Sequence, residues 1–126
     1  MELKDSGKIK HFETGAMRDD NSNKPRMDLL PWDLMPRIAR WYALGAEKYG
    51  DNNWRLGQPS SHVYASIMRH LVKWFIGKKD EDHLAAAVWG IFTLINNETY
   101  YPDNEYICDI QEYFEDERPT GKGASK

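Results

Sequence analysis

The sequence predicts an all-α domain: three main helices, an irregular N-terminal arm and an acidic C-terminal segment. Three observations support it. Apolar residues recur at helical spacing in three stretches, cap or stop residues bound those stretches, and no alternating strand pattern of useful length appears.

Residues 1–30 are broken by Gly, Asp, Asn, Ser and Pro, the residues of turns and irregular chain. Phe12, Met27, Leu29 and Leu30 are the side chains in this arm suited to anchoring it on a core. Pro31 suits a first helical turn, while Pro36 either kinks a helix begun at Trp32 or marks its true start. Ile38, Trp41, Tyr42 and Leu44 then keep helical spacing, so the first helix is expected over 32–48, with Gly50 as its stop. The stretch 51–59 reads as a loop. A second helix is expected over 61–76, capped by Ser60 or Ser61, with Val63, Ile67, Leu71 and Phe75 on one side and Gly77 at its end. Asp80 is the expected cap of a third helix over 81–97, with the stripe Leu84, Val88, Ile91, Phe92 and Ile95. On its other side His83, Ala87, Gly90 and Leu94 share a face of small residues and one imidazole, which suits a ligand or a close helix contact. Residues 105–117 have the spacing of a short amphipathic helix, and 119–126 read as a disordered tail.

The 126 residues suit one domain over 1–126, with a helical core at 12–97 and the acidic segment at 98–118. At 40% apolar and 29% charged, the composition is globular. Cys108 is the only cysteine, so the chain forms no internal disulfide, which suits a reducing compartment. The opening residues have no apolar core of a secretory signal and no run is long enough to span a membrane, so the expectation is a cytoplasmic protein with no membrane partner. A net charge of −3 argues against a nucleic-acid polymer as partner. Three helices make a thin core for five Trp and seven Tyr, and Ala85, Ala86 and Ala87 invite close helix packing, so a homo-oligomer is expected.

Three groups of residues are suited to chemistry. The first is Arg18, Asp19, Lys24 and Arg26, where two cations flank Pro25 as a stiff basic clamp for phosphate; the alternative is a solvated basic turn. The second is Glu47, Lys48, Tyr49, Asp51 and Asn53 with Trp54. Glu47 and Asp51 are four residues apart, so on a persisting helix they share a side and suit a hard divalent cation; the alternative is a frayed helix end with Trp54 covering the core. The third is Arg69 and His70, with Asp80, Glu81, Asp82 and His83; the acids also serve as partners of a helix N-terminus, and His70 as a packed histidine.

Taken in order, these segments resemble the phage dATP/dGTP diphosphohydrolase domain family. The resemblance rests on Phe12-Glu13-Thr14-Gly15-Ala16-Met17-Arg18-Asp19, on Lys24 to Pro31, on Gly45-Ala46-Glu47-Lys48-Tyr49-Gly50-Asp51-Asn52-Asn53-Trp54, on Arg69-His70 and on Glu81-Asp82-His83-Leu84-Ala85-Ala86-Ala87. It covers about Phe12 to Asn97. It implies a helical domain reminiscent of MazG-type pyrophosphohydrolases, cleavage of a purine deoxynucleoside triphosphate (dGTP or dATP) to monophosphate and pyrophosphate, and use of a divalent metal. Mg²⁺ is the expected ion, with Mn²⁺ or Co²⁺ as alternatives. On this reading Glu47, Asp51, Glu81 and Asp82 hold the metal, with Glu47 and Asp82 foremost, and His70 or His83 assists proton transfer. Arg18, Lys24, Arg26, Lys48, Asn53 and Arg69 meet the nucleotide, and Tyr49 or Trp54 stacks on the base. One position departs from the family pattern: a polar Asn is expected after the Trp of the third helix, and here Trp89 is followed by Gly90. Two other classes compete, a non-catalytic protein that sequesters nucleotides through the same pocket and an interaction module that works through its acidic segment.

Overall fold

The computed structural model describes residues 7–110. The chain divides into two compact units, residues 1–31 and 32–126.

The arm is more regular than its sequence suggests. Strands β1 (Ile9–His11) and β2 (Met17–Asp19) pair antiparallel, with Ile9 opposite Asp19, Lys10 opposite Arg18 and His11 opposite Met17. The Phe12 amide donates to the Ala16 carbonyl at 3.0 Å and the Gly15 amide to the Phe12 carbonyl at 2.9 Å, closing the turn. Gly15 supplies the positive φ of 93° that the turn requires. Strands of three residues are too short to show alternation, which is why the pattern reads as irregular chain. A 3-10 turn follows at Met27–Leu29. Phe12, Met27, Leu29 and Leu30, expected as core anchors, are all exposed.

The helical unit has three helices: α1 (Met35–Tyr49), α2 (Ser60–Phe75) and α3 (His83–Tyr100). Pro36 settles the start of α1, falling in its first turn, where a missing N–H costs nothing. Gly50, at φ 95°, ends α1 by donating its amide to the Ala46 carbonyl at 2.7 Å. Ser60 and Ser61 do not cap α2 through their side chains. Instead the carboxylate of Asp109 accepts from the Ser61 amide at 2.8 Å and from the Ser61 hydroxyl, so the C-terminal segment supplies the anion at this helix end. The cap of α3 is Asp82, which accepts from the Ala85 amide at 3.2 Å, rather than Asp80. Asp80 turns to the ring of His83.

The small face of α3 makes the close helix contact that its residues suit, with Ala87, Gly90 and Leu94 against α2. Its stripe of large residues does not form the core: Ile91, Phe92 and Ile95 are exposed. The buried face is made of Ala86, Ala87, Gly90, Thr93 and Asn97, and it lies against Val63 and Ile67 of α2. Leu71 and Phe75 of α2 point outward as well. Small residues let the helix axes approach, and the buried donors are satisfied locally: the Asn97 amide nitrogen donates to the Gln58 carbonyl at 2.8 Å and to the Ser60 hydroxyl at 3.0 Å, and Thr93 donates to the Trp89 carbonyl at 3.0 Å, while Asn97 Oδ1 is buried without a partner among the described residues. Asn96 donates to the Arg55 carbonyl at 3.2 Å, so α3 also pins the 51–59 loop. No helix among the described residues is long and apolar enough to cross a membrane. The residues from 111 onward, including most of the expected 105–117 helix and the expected 119–126 tail, lie outside the described part.

A Cβ on Gly90 would sit 2.5 Å from Ile67 Cγ1 and 3.1 Å from its Cδ1. Gly90→Ala is therefore expected to lower stability by about 1–3 kcal/mol, with Ile67→Ala in the same chain recovering part of the loss relative to additivity. Urea denaturation of the two single variants and the double variant checks this; additive losses would place the strain elsewhere.

Candidate active site

The approach of α3 to α2 brings two imidazoles together. His83 opens α3 and is 2% exposed; His70 lies in the last two turns of α2 and is half-buried. Their Nδ1 atoms are 2.9 Å apart. The Nε2 of His83 is 2.8 Å from an Asp80 oxygen, and its Nδ1 is 4.0 Å from Glu81 Oε1. A carboxylate can only accept, so Nε2–H of His83 donates to Asp80, and in the neutral ring this leaves the Nδ1 lone pair of His83 directed at His70. Burial pulls the pKa of His70 down, partly opposed by Glu81, which favours its uncharged ring. The hydrogen bond with His83 holds the Asp80 carboxyl below its usual range. Among the described residues, His70, Glu81 and His83 are the group whose ligand atoms come close enough to hold a metal ion, all within 4.8 Å of one another.

This cluster borders a cleft of about 690 Å³ between α1 and the start of α3. One face of α1 lines it, with Arg37, Arg40, Trp41, Leu44 and Lys48 at spacings of three and four residues. Lys79, Asp80, Glu81 and Asp82 line the opposite side, and Tyr49 and Trp89 close one end. Arg37 forms a two-pronged pair with Asp82, Nε to Oδ2 at 2.8 Å and Nη2 to Oδ1 at 2.7 Å. That pair holds the Asp82 carboxyl below its ordinary range. Arg40 and Lys79 have no carboxylate partner among the described residues, and Lys48 lies over the Tyr49 ring at 5.2 Å. The cleft thus has one neutralised and three available cations, an arrangement suited to a polyanion.

A second cleft, of about 310 Å³, shares Gly45, Tyr49 and Trp89 with the first and is lined as well by Tyr42, Asp51, Asn53 and Trp54. Its geometry follows from local backbone: Gly50 ends α1, Asn52 takes a left-handed φ of 62°, and a 3-10 turn over Asn53–Leu56 folds Trp54 back. Trp54 is engaged on both sides, edge-on to Tyr42 at 5.6 Å and under the Arg55 guanidinium at 4.6 Å. Burial pushes the Tyr42 hydroxyl up to about 12, so it stays a neutral hydrogen-bonding group.

The sequence-selected residues are therefore distributed unevenly. Lys48, Tyr49, His70, Glu81 and Asp82 meet at the larger cleft, with His83 directly behind, and Asp51, Asn53 and Trp54 line the smaller one. Glu47 is exposed on α1 and lines neither, and Arg69 is exposed beside His70. The four carboxylates Glu47, Asp51, Glu81 and Asp82 do not converge on one point; Glu81 alone joins the histidines. In the arm, Lys24 pairs with Asp19 at 2.9 Å and Arg26 grips Asp28 at 2.8 Å, while Arg18 lies in β2. Sequence reasoning missed Arg37, Arg40, Trp41, Lys79 and Trp89. The signal for the first three was present, since Arg37, Arg40, Trp41, Leu44 and Lys48 form one helical stripe.

A family model described as dATP/dGTP diphosphohydrolase, N-terminal, matches residues 14–105. No curated protein matches the chain, and no solved structure does.

Asp82 holds Arg37 and also caps α3. Asp82→Ala is expected to destabilise the unit by about 0.5–2 kcal/mol, the usual scale for a lost cap, with Asp82→Asn retaining part of it because an amide oxygen still accepts from Ala85. Thermal unfolding of the two variants distinguishes this from a purely electrostatic role, in which both would fall equally.

Proposed function

Because the chain belongs to the dATP/dGTP diphosphohydrolase N-terminal family, we propose that it hydrolyses purine deoxynucleoside triphosphates with a divalent metal, releasing the monophosphate and pyrophosphate. The observation that carries this reading is the larger cleft, which is lined by three available cations and by the rings of Tyr49 and Trp89 and bordered by a metal-capable cluster. A triphosphate carries about four negative charges, and Arg40, Lys48 and Lys79 offset them without giving up an existing carboxylate partner. Tyr49 and Trp89 stand where the two clefts meet, so a purine seated there lies between rings while its phosphates extend toward α3. The larger cleft is of the size of a small-molecule site.

The donor set of His70, Glu81 and His83 fits a divalent ion: two ring nitrogens and one carboxylate, one of the rings oriented by a further carboxylate. Held by His70, Glu81 and His83, such an ion would supply positive charge against phosphate oxygens and Lewis-acid chemistry. The protein's own groups do the rest. The cations align the chain of phosphates and the aromatic rings meet the base; with its Nδ1 given to the ion, His70 acts as a ligand, and the proton of the attacking water passes to solvent. Water adds to phosphorus, the bond between the α-phosphate and the β-phosphate breaks, and the pyrophosphate leaves with its charge on the cationic wall. Glu47, Asp51 and Asp82 retain proposed secondary roles around the substrate. The arm's Lys24 and Arg26 remain proposed phosphate contacts; the Arg26–Asp28 pair is exposed and such pairs are weak, whereas Lys24 is paired with a half-buried Asp19.

Product analysis tests the proposal: dGTP or dATP incubated with the metal-supplied protein should give monophosphate and pyrophosphate in equal amounts. Arg40→Ala should raise the dissociation constant for a non-hydrolysable triphosphate roughly tenfold or more, the scale of a lost charge-assisted contact, with folding unchanged. Nucleotide bound tightly and recovered intact would replace catalysis by sequestration.

The exposed faces of α2 and α3 support a second element of the proposal, self-association. Met68, Leu71 and Phe75 on α2 and Ile91, Phe92 and Ile95 on α3 are exposed large apolar residues at spacings of three and four, a pattern that monomers seldom leave in water. Light scattering at micromolar concentration should give a dimer or tetramer, and Phe92→Glu should shift it toward monomer; a monomer in the unmodified protein would remove this element.

A further inference from the structure

The four-carboxylate Mg²⁺ set expected from sequence and the donors that actually converge have different chemistry, and the difference has a consequence for the metal. Mg²⁺ takes oxygen ligands in near-ideal octahedra and keeps several waters, whereas imidazole favours Zn²⁺, Co²⁺ and their neighbours. The geometry points to a site for an imidazole-preferring transition-metal ion, bound by Nδ1 of His70, Nδ1 of His83 and the Glu81 carboxylate.

Three features support it. First, two nitrogens that share an ion at about 2.0–2.1 Å stand roughly 2.9–3.4 Å apart for angles between right and tetrahedral; the two Nδ1 atoms are 2.9 Å apart. Second, His83 is almost wholly buried and its other nitrogen is committed to Asp80 at 2.8 Å. That is the outer-sphere arrangement that fixes a ligating ring and its tautomer. Third, His70 and Glu81 face the cleft, so an ion held by them keeps an open side toward a phosphate. Closing the 4.0 Å gap from His83 Nδ1 to Glu81 Oε1 needs only a rotation of an exposed side chain. With the ion bound, His70 changes tautomer, its proton moving from Nδ1 to Nε2, and each Nδ1 gives its lone pair to the metal.

This inference deepens the metal-dependent reading but is tested without nucleotide. Chelator-treated full-length protein is titrated with Co²⁺ and its visible absorption recorded. The expected result is a saturable band, abolished by Zn²⁺ and unaffected by a large excess of Mg²⁺. His70→Gln and Glu81→Gln, both on accessible side chains, should weaken Co²⁺ binding at least tenfold, and Asp80→Asn should weaken it by about 10–100-fold while keeping the band's shape. His62→Gln should bind as the unmodified protein does. Absence of the band, its loss to Mg²⁺, or unchanged binding in both His70→Gln and Glu81→Gln would overturn the inference. If Co²⁺ binds as expected and no triphosphate is hydrolysed, the hydrolase reading falls and the metal site stands. If Mg²⁺ supports hydrolysis undiminished in His70→Gln and Glu81→Gln, the metal site falls and the hydrolase reading stands.

Discussion

The close contact of α3 with α2 is the constraint on which the rest of the helical unit depends. Gly90 leaves no room for a side chain beside Ile67, and Ala86 and Ala87 continue the same narrow face. That approach has two results. It draws His83 into the interior beside His70, with their Nδ1 atoms 2.9 Å apart. It also turns the large apolar residues of α3 outward, because a helix that packs with its small face has only its large face left for solvent or for a second chain.

The same contact explains the composition of the interior. Among the described residues the largest fully buried side chains are Asn97 and Thr93 rather than leucines or aromatics. The Asn97 amide nitrogen finds partners in Gln58 and Ser60, at the entry to α2, while its Oδ1 is buried without one among the described residues. Polar anchoring of the 51–59 loop by α3 in turn holds the backbone that carries Asn53 and Trp54 at the smaller cleft. Packing, loop geometry and site are thus consequences of one helix face.

Much of this was legible in the sequence. Helix number and approximate limits followed from apolar spacing and from Gly50 and Gly77, and the family resemblance over Phe12 to Asn97 agrees with a match at residues 14–105. The small face of α3 was legible as a close helix contact, whereas the exposure of Ile91, Phe92 and Ile95 was not. Periodicity identifies a stripe; it does not say whether the chain itself or another chain covers it. The site was legible as a set of residues but not as an arrangement. Asp80 and Asp82 look alike two residues apart, yet one orients an imidazole and the other caps a helix and holds Arg37. Glu47 and Asp51 appeared to share a side, but Gly50 ends α1 between them, so their spacing no longer has helical meaning.

The central claim is that the cleft between α1 and the start of α3 receives the nucleotide. The most direct test is titration of the protein with a non-hydrolysable purine deoxynucleoside triphosphate, following the five indole N–H signals by NMR with assignment from single Trp→Phe variants. The account predicts large shifts for Trp41 and Trp89, which line the cleft, and little change for Trp74, which stands exposed on α2 against Phe75. Shifts confined to Trp74, or saturation binding with Trp41 and Trp89 unmoved, would contradict it.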